Sequence, residues 1–359
     1  MCDTLQTDIK PHSGVVTIPV VDAAGTVLAH DITEIKKGEF KGRAFRKGHI
    51  VAVEDIDYLK NLGKEHLYVL KISNDEMHED DAAHELVSAL IGENVEMDGD
   101  PKEGKIGIIA ADDGILKVNA DALRAFNELD DVMCATIHNN TVVNKGRMLG
   151  GARAIPLVVK KSSIQKAADF ARSNYPIIEV KKLRRPNVGV VITGSEVFYG
   201  RIKDGFKPVI EQKIQAVNGN IVGIHYAPDD LNEIEQRIRE LIAAGADLLI
   251  TTGGMSVDPD DITRFAIKNI GAKDICYGAA VLPGAMFLIA YIDSDSGCQI
   301  PVLGIPACGM YYKTTIFDLI LPRVLAGEKI GRRDIAYYSH GGLCLTCQTC
   351  VYPHCPFGK

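Results

Sequence analysis

The sequence predicts an α/β fold, with parallel βαβ units over residues 186–330 and a mixed α+β region before them. Three observations lead there. From Val188 onward, short β-branched runs alternate with stretches of helical periodicity, the pattern of strands joined by crossover helices. Glycine and aspartate gather where the runs end. The composition, 46% hydrophobic and 24% charged over 359 residues, is that of a globular chain long enough for two or three domains.

The elements follow in chain order. Residues 1–74 carry β-branched runs, Val15 to Val21, His49 to Val53 and Leu67 to Leu70, broken by Gly14, Gly25, Gly38, Gly42, Gly48 and Gly63. They read as a small turn-rich α+β segment, with a short helix from Asp55 that stops at Gly63. Residues 75–185 read as a mixed α/β domain. Ala82, Ala83, Leu86, Val87, Leu90 and Ile91 recur at helical spacing. Residues 104–120 alternate around Asp112-Asp113-Gly114, which predicts a hairpin. A helix from Asp121 to Leu129, strands at Val132 to Ile137 and Ala154 to Val159, and a helix from Ser162 to Ser173 complete it. In residues 186–330 the strands are Val188 to Ile192, Ile221 to Tyr226 and Asp247 to Thr251, and the helices Lys207 to Val217 and Leu231 to Ala243. Residues 331–359 stand apart as a Cys-rich tail.

A net charge of -7 argues against non-specific nucleic-acid binding, which needs clustered Lys and Arg. The first residues lack the basic and then apolar run of a secretory signal, and no apolar stretch nears the roughly 20 residues that span a bilayer. The chain is therefore expected in the cytoplasm, away from membranes, and as a homo-oligomer by default. Lys36, Lys37, Arg43, Arg46 and Lys47 read as a solvated basic surface rather than a patch that faces the ligand, and His138, Asn139, Asn140 and Arg153 as satisfied surface groups rather than polar contacts at a domain interface.

Ligands of parallel sheets sit at the carboxyl ends of the strands. One end here is Thr193-Gly194-Ser195-Glu196, a second is Pro228-Asp229-Asp230, and a third runs from Thr251 through Thr252, Gly253, Gly254, Met255, Ser256 and Asp258 to Asp261. Glycines let backbone N–H groups approach a phosphate, and carboxylates beside them suit Mg2+. Singly, a Gly-Gly pair is a turn and Asp229 or Asp230 a helix cap. Jointly, Asp258, Asp260 and Asp261 crowd one loop, which serves a ligand better than packing.

The string Thr252-Gly253-Gly254-Met255-Ser256-Val257, with Asp261 and Thr263 after it, resembles the signature loop of the molybdopterin-binding domain of molybdopterin adenylyltransferases and molybdotransferases, the MogA and MoeA types. Thr193-Gly194-Ser195-Glu196 resembles that domain's Thr-Gly-Asp-Glu opening, Asp204 matches its acid before the first helix, and Asp229 its acid after the second strand. The resemblance spans about residues 187–327 and implies a three-layer αβα fold binding molybdopterin, with Asp229 and Asp261 as catalytic acids that position Mg2+ with ATP or AMP. It also implies pterin contacts at Pro283, Gly284 and Pro306. The chain departs from it in two places: Leu282-Pro283-Gly284-Ala285-Met286 stands where molybdotransferases show Lys-Pro-Gly-Lys-Pro, and Pro306-Ala307-Cys308-Gly309 where they show Pro-Gly-Asn-Pro. Gly25 to Ile32 resembles the opening of molybdotransferases, and their usual C-terminal β-barrel has no counterpart.

Of nine cysteines, four crowd the tail, Cys344, Cys347, Cys350 and Cys355, and such spacing suits tetrahedral Zn2+ or an iron–sulfur cluster, with His340 and His354 as substitutes. Cys2, Cys134, Cys276 and Cys298 read as buried apolar groups, and Cys308 as either a core residue or a soft ligand contact. The expected function is binding of molybdopterin or its adenylylated form in molybdenum-cofactor biosynthesis, as an adenylylating or metal-inserting enzyme. The alternatives are a carrier or sensor that docks a molybdoenzyme, and a nucleotide-salvage hydrolase using the related domain.

Overall fold

Val188, Val190 and Ile192 point to one side of the strand Asn187–Thr193 and Val191 to the other, and none exceeds 1% exposure. Side chains alternate across a strand, so a run apolar at every position must be covered on both faces. In the computed structural model, which describes residues 15–36, 40–70, 73–255, 258, 261–294 and 297–359, this strand lies inside a six-stranded sheet. The order across the sheet is Asn220–Ala227, Asn187–Thr193, Leu248–Thr252, Gln299–Ile305, Leu288–Asp293 and Lys273–Tyr277. The first four strands are parallel and the last two antiparallel.

Helices Phe206–Ala216 and Ile316–Leu325 seal one face through Phe206, Ile210, Ile214, Phe317 and Ile320. Helices Leu231–Ala243 and Thr263–Asn269 seal the other through Ile234, Ile238, Leu241, Ala266 and Ile267. The result is the expected three-layer αβα arrangement. Its parallel register sets Thr193 beside Ala227 and Thr252 beside Ile305, so these strands end along one edge.

The chain divides into two units. Residues 181–359 form one, joined by 113–116 and 138–143, and the other holds the remaining residues up to Val180. In that N-terminal unit, Val15–Pro19 pairs with His66–Leu70, and Val20, Leu28, Ile32, Phe45, Val51, Leu59 and Leu67 pack a small core. A four-stranded antiparallel sheet of Val95–Met97, Lys105–Ala110, Met148–Ala154 and Val132–Thr136 carries the helix Glu79–Leu90, whose Leu86 and Leu90 are fully buried. It is the mixed α+β region the patterning implied.

Several expectations need correction. His49 to Val53 is not a strand; only Ile50 forms a bridge, to Val27. Residues 104–120 hold two strands, but not a hairpin. Lys105–Ala110 pairs with Met148–Ala154, and Gly114 opens a strand that pairs with Val142–Val143. Ala154 ends one strand, and another begins only at Val158. Arg153, by contrast, has the satisfied role expected of it, holding the buried Glu79 carboxylate at 2.8 Å. Burial pushes that carboxyl up, with Arg153 opposing. Within the basic patch, Arg43 pairs with Asp31 at 3.0 Å and Lys47 with Asp80 at 2.6 Å, and both cations stay exposed, as a solvated surface implies. Cys134 and Cys276 are buried as expected, whereas Cys298 is exposed. Cys2, Gly14, Lys37, Gly38, Ser256, Val257 and Asp260 lie outside the described residues.

The last residues are part of the αβα core. Leu343 forms a parallel bridge with Leu282, and the Cys344 N–H donates to the Leu282 carbonyl at 2.8 Å. Tyr338 and Phe357 are 2% and 3% exposed and pack against the same apolar cluster as Phe317. Among the described residues, no helix is long and apolar enough to cross a membrane.

Candidate functional site

The strand ends open onto a cavity of about 680 Å³. Thr193 ends the first of them, where its hydroxyl donates to the Thr252 carbonyl at 2.8 Å and lies 2.9 Å from the Thr263 hydroxyl. Two glycines then cross the strand ends where no side chain fits. Gly253 has φ +79°, and a Cβ there would sit 2.2 Å from the Thr193 carbonyl oxygen; at Gly254, φ +55°, it would sit 2.4 Å from the Thr263 hydroxyl. Only glycine allows this turn, which leaves the loop backbone open to the cavity. At Gly284, φ +127°, a Cβ would lie 2.6 Å from the Ile316 side chain.

The acids differ in what they do. Asp204 accepts from the N–H groups of Phe206 and Lys207 at 2.7 and 3.1 Å and from the Tyr226 hydroxyl at 3.0 Å, so it caps the first helix while lining the cavity. Burial, then the Asp204 contact, pushes the Tyr226 phenol up to about 12. Asp229 accepts from the Ser195 N–H at 2.8 Å, and its own N–H donates to the Ser195 hydroxyl at 3.2 Å. This reciprocal pair fixes the turn after the first strand. Asp230 caps the helix Leu231–Ala243 through the Glu233 N–H. Asp261 lines the cavity and accepts from the Asp258 N–H at 2.9 Å.

Of the residues singled out in the sequence, Thr193, Glu196, Asp204, Gly253, Gly254, Met255, Asp261, Pro283, Gly284 and Pro306 line the cavity together. Gly194, Ser195, Asp229, Thr252 and Asp258 lie outside its lining; Ser256 is not among the described residues. The lining adds residues that motif reading passed over: Lys203, Met310 and Tyr312. Lys203 was within reach, as it adjoins Asp204. Cys308 also lines the cavity, and burial raises its thiol above the ordinary range.

The tail cysteines are not arranged as expected. They line a second cavity of about 670 Å³, yet among the described residues no three His, Cys, Asp or Glu side chains gather closely enough to hold a metal ion. The structure therefore does not support Zn2+ or an iron–sulfur cluster on Cys344, Cys347, Cys350 and Cys355. Core packing explains the spread. Cys344 follows the bridge to Leu282, Cys355 packs near Phe357, Cys350 lies 3.7 Å from the Thr314 hydroxyl, and Cys347 is exposed. The Tyr352 backbone, then Thr314, holds the Cys350 thiol below its usual value.

Glu196 and Asp261 offer hard carboxylate oxygens on the lining, but among the described residues no three His, Cys, Asp or Glu side chains gather to hold a metal ion here either, so any Mg2+ would depend on a bound phosphate and water for its remaining ligands.

Parts of the chain are similar to known proteins. Residues 189–326 match a family described as a probable molybdopterin binding domain, and residues 17–71 match a domain of unknown function. The chain is 30% identical over 188 residues to a molybdopterin molybdenumtransferase of Staphylococcus aureus (strain COL), a match covering 48% of this chain and 44% of that protein. It is 29% identical over 115 residues to a CinA-like protein of Mycolicibacterium vanbaalenii, covering 30% and 27% respectively. The chain thus spans less than half the length of these relatives. Among solved structures it is similar to the tungsten cofactor synthesizing protein MoaB from Pyrococcus furiosus, with 20% identity and a TM-score of 0.32, over 40% of this chain and 97% of that one.

Proposed function

With residues 189–326 a MogA- and MoeA-like molybdopterin-binding domain, we propose that the cavity binds molybdopterin or its adenylylated form as a step of molybdenum-cofactor biosynthesis. One observation carries the reading. The Gly253-Gly254 turn, the Thr193 strand end and the Pro283-Gly284 loop line one cavity with Asp261. Glycine backbone there can meet a phosphate, and Lys203 contributes a cation to the same lining. Asp261 and Glu196 would hold Mg2+, which supplies charge neutralisation for a transferring phosphoryl group. Asp229 acts through Ser195, keeping the first strand end in position.

Mass analysis of ligand retained by the native protein, followed by titration with molybdopterin, tests the reading. Retention of a phosphorylated pterin is expected, and no measurable pterin binding would remove it. For the enzymatic form, AMP or phosphate release with molybdopterin, Mg2+ and ATP should fall on the order of 100-fold in Asp261→Asn. Unchanged turnover would sink the role of Asp261.

A second reading, a carrier or sensor that docks a molybdoenzyme, is favoured by Leu282 and Ala285, which stand where the resemblance expects lysines. Pterin that co-purifies without any ATP turnover would select it. The similarity to a CinA-like protein keeps nucleotide salvage as a third reading, which hydrolysis of a pyridine nucleotide or ADP-ribose would reveal.

A further inference from the structure

The cavity of about 670 Å³ built by the tail and the segment 311–314 meets the first cavity at Tyr312, Cys344 and Thr346. Tyr312 and Thr346 are exposed and Cys344 is half-buried, so the shared rim is open to solvent and one ligand can lie across it. The two cavities offer different chemistry. The first carries the Gly253-Gly254 turn with Lys203 and carboxylates. The second carries the rings of Tyr311, Tyr312, Tyr352 and Phe357, and among the described residues that line it there is one lysine, Lys313, and no carboxylate. Tyr311 is 79% exposed and Leu345 66%, so large apolar groups stand in water where a bound ring would cover them. Aromatic walls suit a planar ring, and a lysine without an opposing acid suits a negative charge attached to that ring.

We propose that the tail cavity is a nucleotide subsite, with the base against Tyr311 and the phosphate reaching over the rim at Tyr312 and Thr346 toward the first cavity. An adenylylated ligand then spans both, its nucleotide end in the tail cavity and its pterin end at the glycine turn. This rests on the reading of the first cavity as a pterin site, and it places the part of the ligand which that reading leaves without a site. Lys313 follows Tyr312 in the chain, which brings its charge to the rim where the phosphate would cross. Stacking on a tyrosine accepts any base. The hydroxyl and amide groups of Thr346, Gln348 and Thr349 on the same lining therefore set which base edge is preferred.

AMP and molybdopterin, titrated separately into the full chain by calorimetry, test the subsite. AMP should bind saturably. Tyr311→Ala should weaken AMP by about tenfold or more while molybdopterin stays within about threefold, and Tyr311→Phe, which keeps the ring, should retain AMP binding. Lys313→Gln should weaken AMP more than adenosine, which lacks the phosphate. No AMP binding, or AMP binding untouched by Tyr311→Ala, overturns the subsite. An equal loss of molybdopterin in Tyr311→Ala overturns it as well, because the pterin ring would then occupy the tail cavity. AMP bound by a chain that takes no pterin removes the pterin reading and leaves the subsite, whereas pterin bound without AMP does the reverse. On the unmutated chain, 8-azido-AMP should on illumination label residues within 311–314 or 344–357, read by peptide mass spectrometry. Label confined to other segments overturns the assignment independently of any variant's folding.

Discussion

Arg323 shows how much one residue can hold. Its guanidinium is 8% exposed and reaches Glu328 and Asp334 at 2.8 and 2.7 Å, and it lies 3.4 Å from the Tyr338 hydroxyl. Substituting Arg323→Met leaves two carboxylates without their partner. Both carboxylates keep some water, so the expected loss is about 2–3 kcal/mol rather than the larger cost of a fully buried pair, measurable by urea unfolding. Burial pushes the Asp334 carboxyl up, but the Gly331 N–H and Arg323 outweigh it and hold it below the usual value. A lowered folded-state value gives stability that is present above the unfolded value and lost as pH falls through the folded one. The unmutated protein should therefore lose more stability than Asp334→Asn between about pH 5 and pH 3. Equal acid sensitivity of the two would remove this contribution. Gly253→Ala tests the cavity at the same scale: its Cβ would meet the Thr193 carbonyl oxygen at 2.2 Å, so pterin binding should fall about tenfold or more, with lower stability.

Among elements, the helix Ile316–Leu325 is buried along nearly its whole length and begins at a capping box formed by Thr315 and Asp318. Thr315→Ala should cost about 1 kcal/mol by thermal or urea unfolding. The tail depends on its apolar anchor. Phe357, 3% exposed, packs with the core against which Tyr352 and Cys355 lie. Phe357→Ala should cost about 3–4 kcal/mol, and full stability after that change would show that the tail is not part of the core. Elements with a strong period were legible in the sequence: the helix Leu231–Ala243 appears with the limits its pattern implied. The hairpin around Asp112-Asp113-Gly114 was not. A local turn signal cannot weigh a distant strand, and Met148–Ala154 supplied the partner instead.

At the scale of the whole molecule, the αβα unit and its cavity were foreseeable because both follow from local chemistry. Runs such as Val188 to Ile192 demand burial on both faces, and glycines such as Gly253 and Gly254 mark the turns at their ends. These features determined the fold class and the edge along which the strands end, whereas Lys203, Met310 and Tyr312 joined the cavity's lining only through tertiary packing. Which acid lines the cavity and which braces it was decided only by the tertiary structure: Asp261 reaches the lining, while Asp229 is held by Ser195. The same holds for the tail, where motif spacing predicted a gathered set of thiols and the packing of Tyr352 and Phe357 spread them apart, turning Cys344 into the wall of the first cavity. Spacing along a chain states which donors are available. Their distances are set by how apolar neighbours pack, and that energy is shared among residues far apart in sequence.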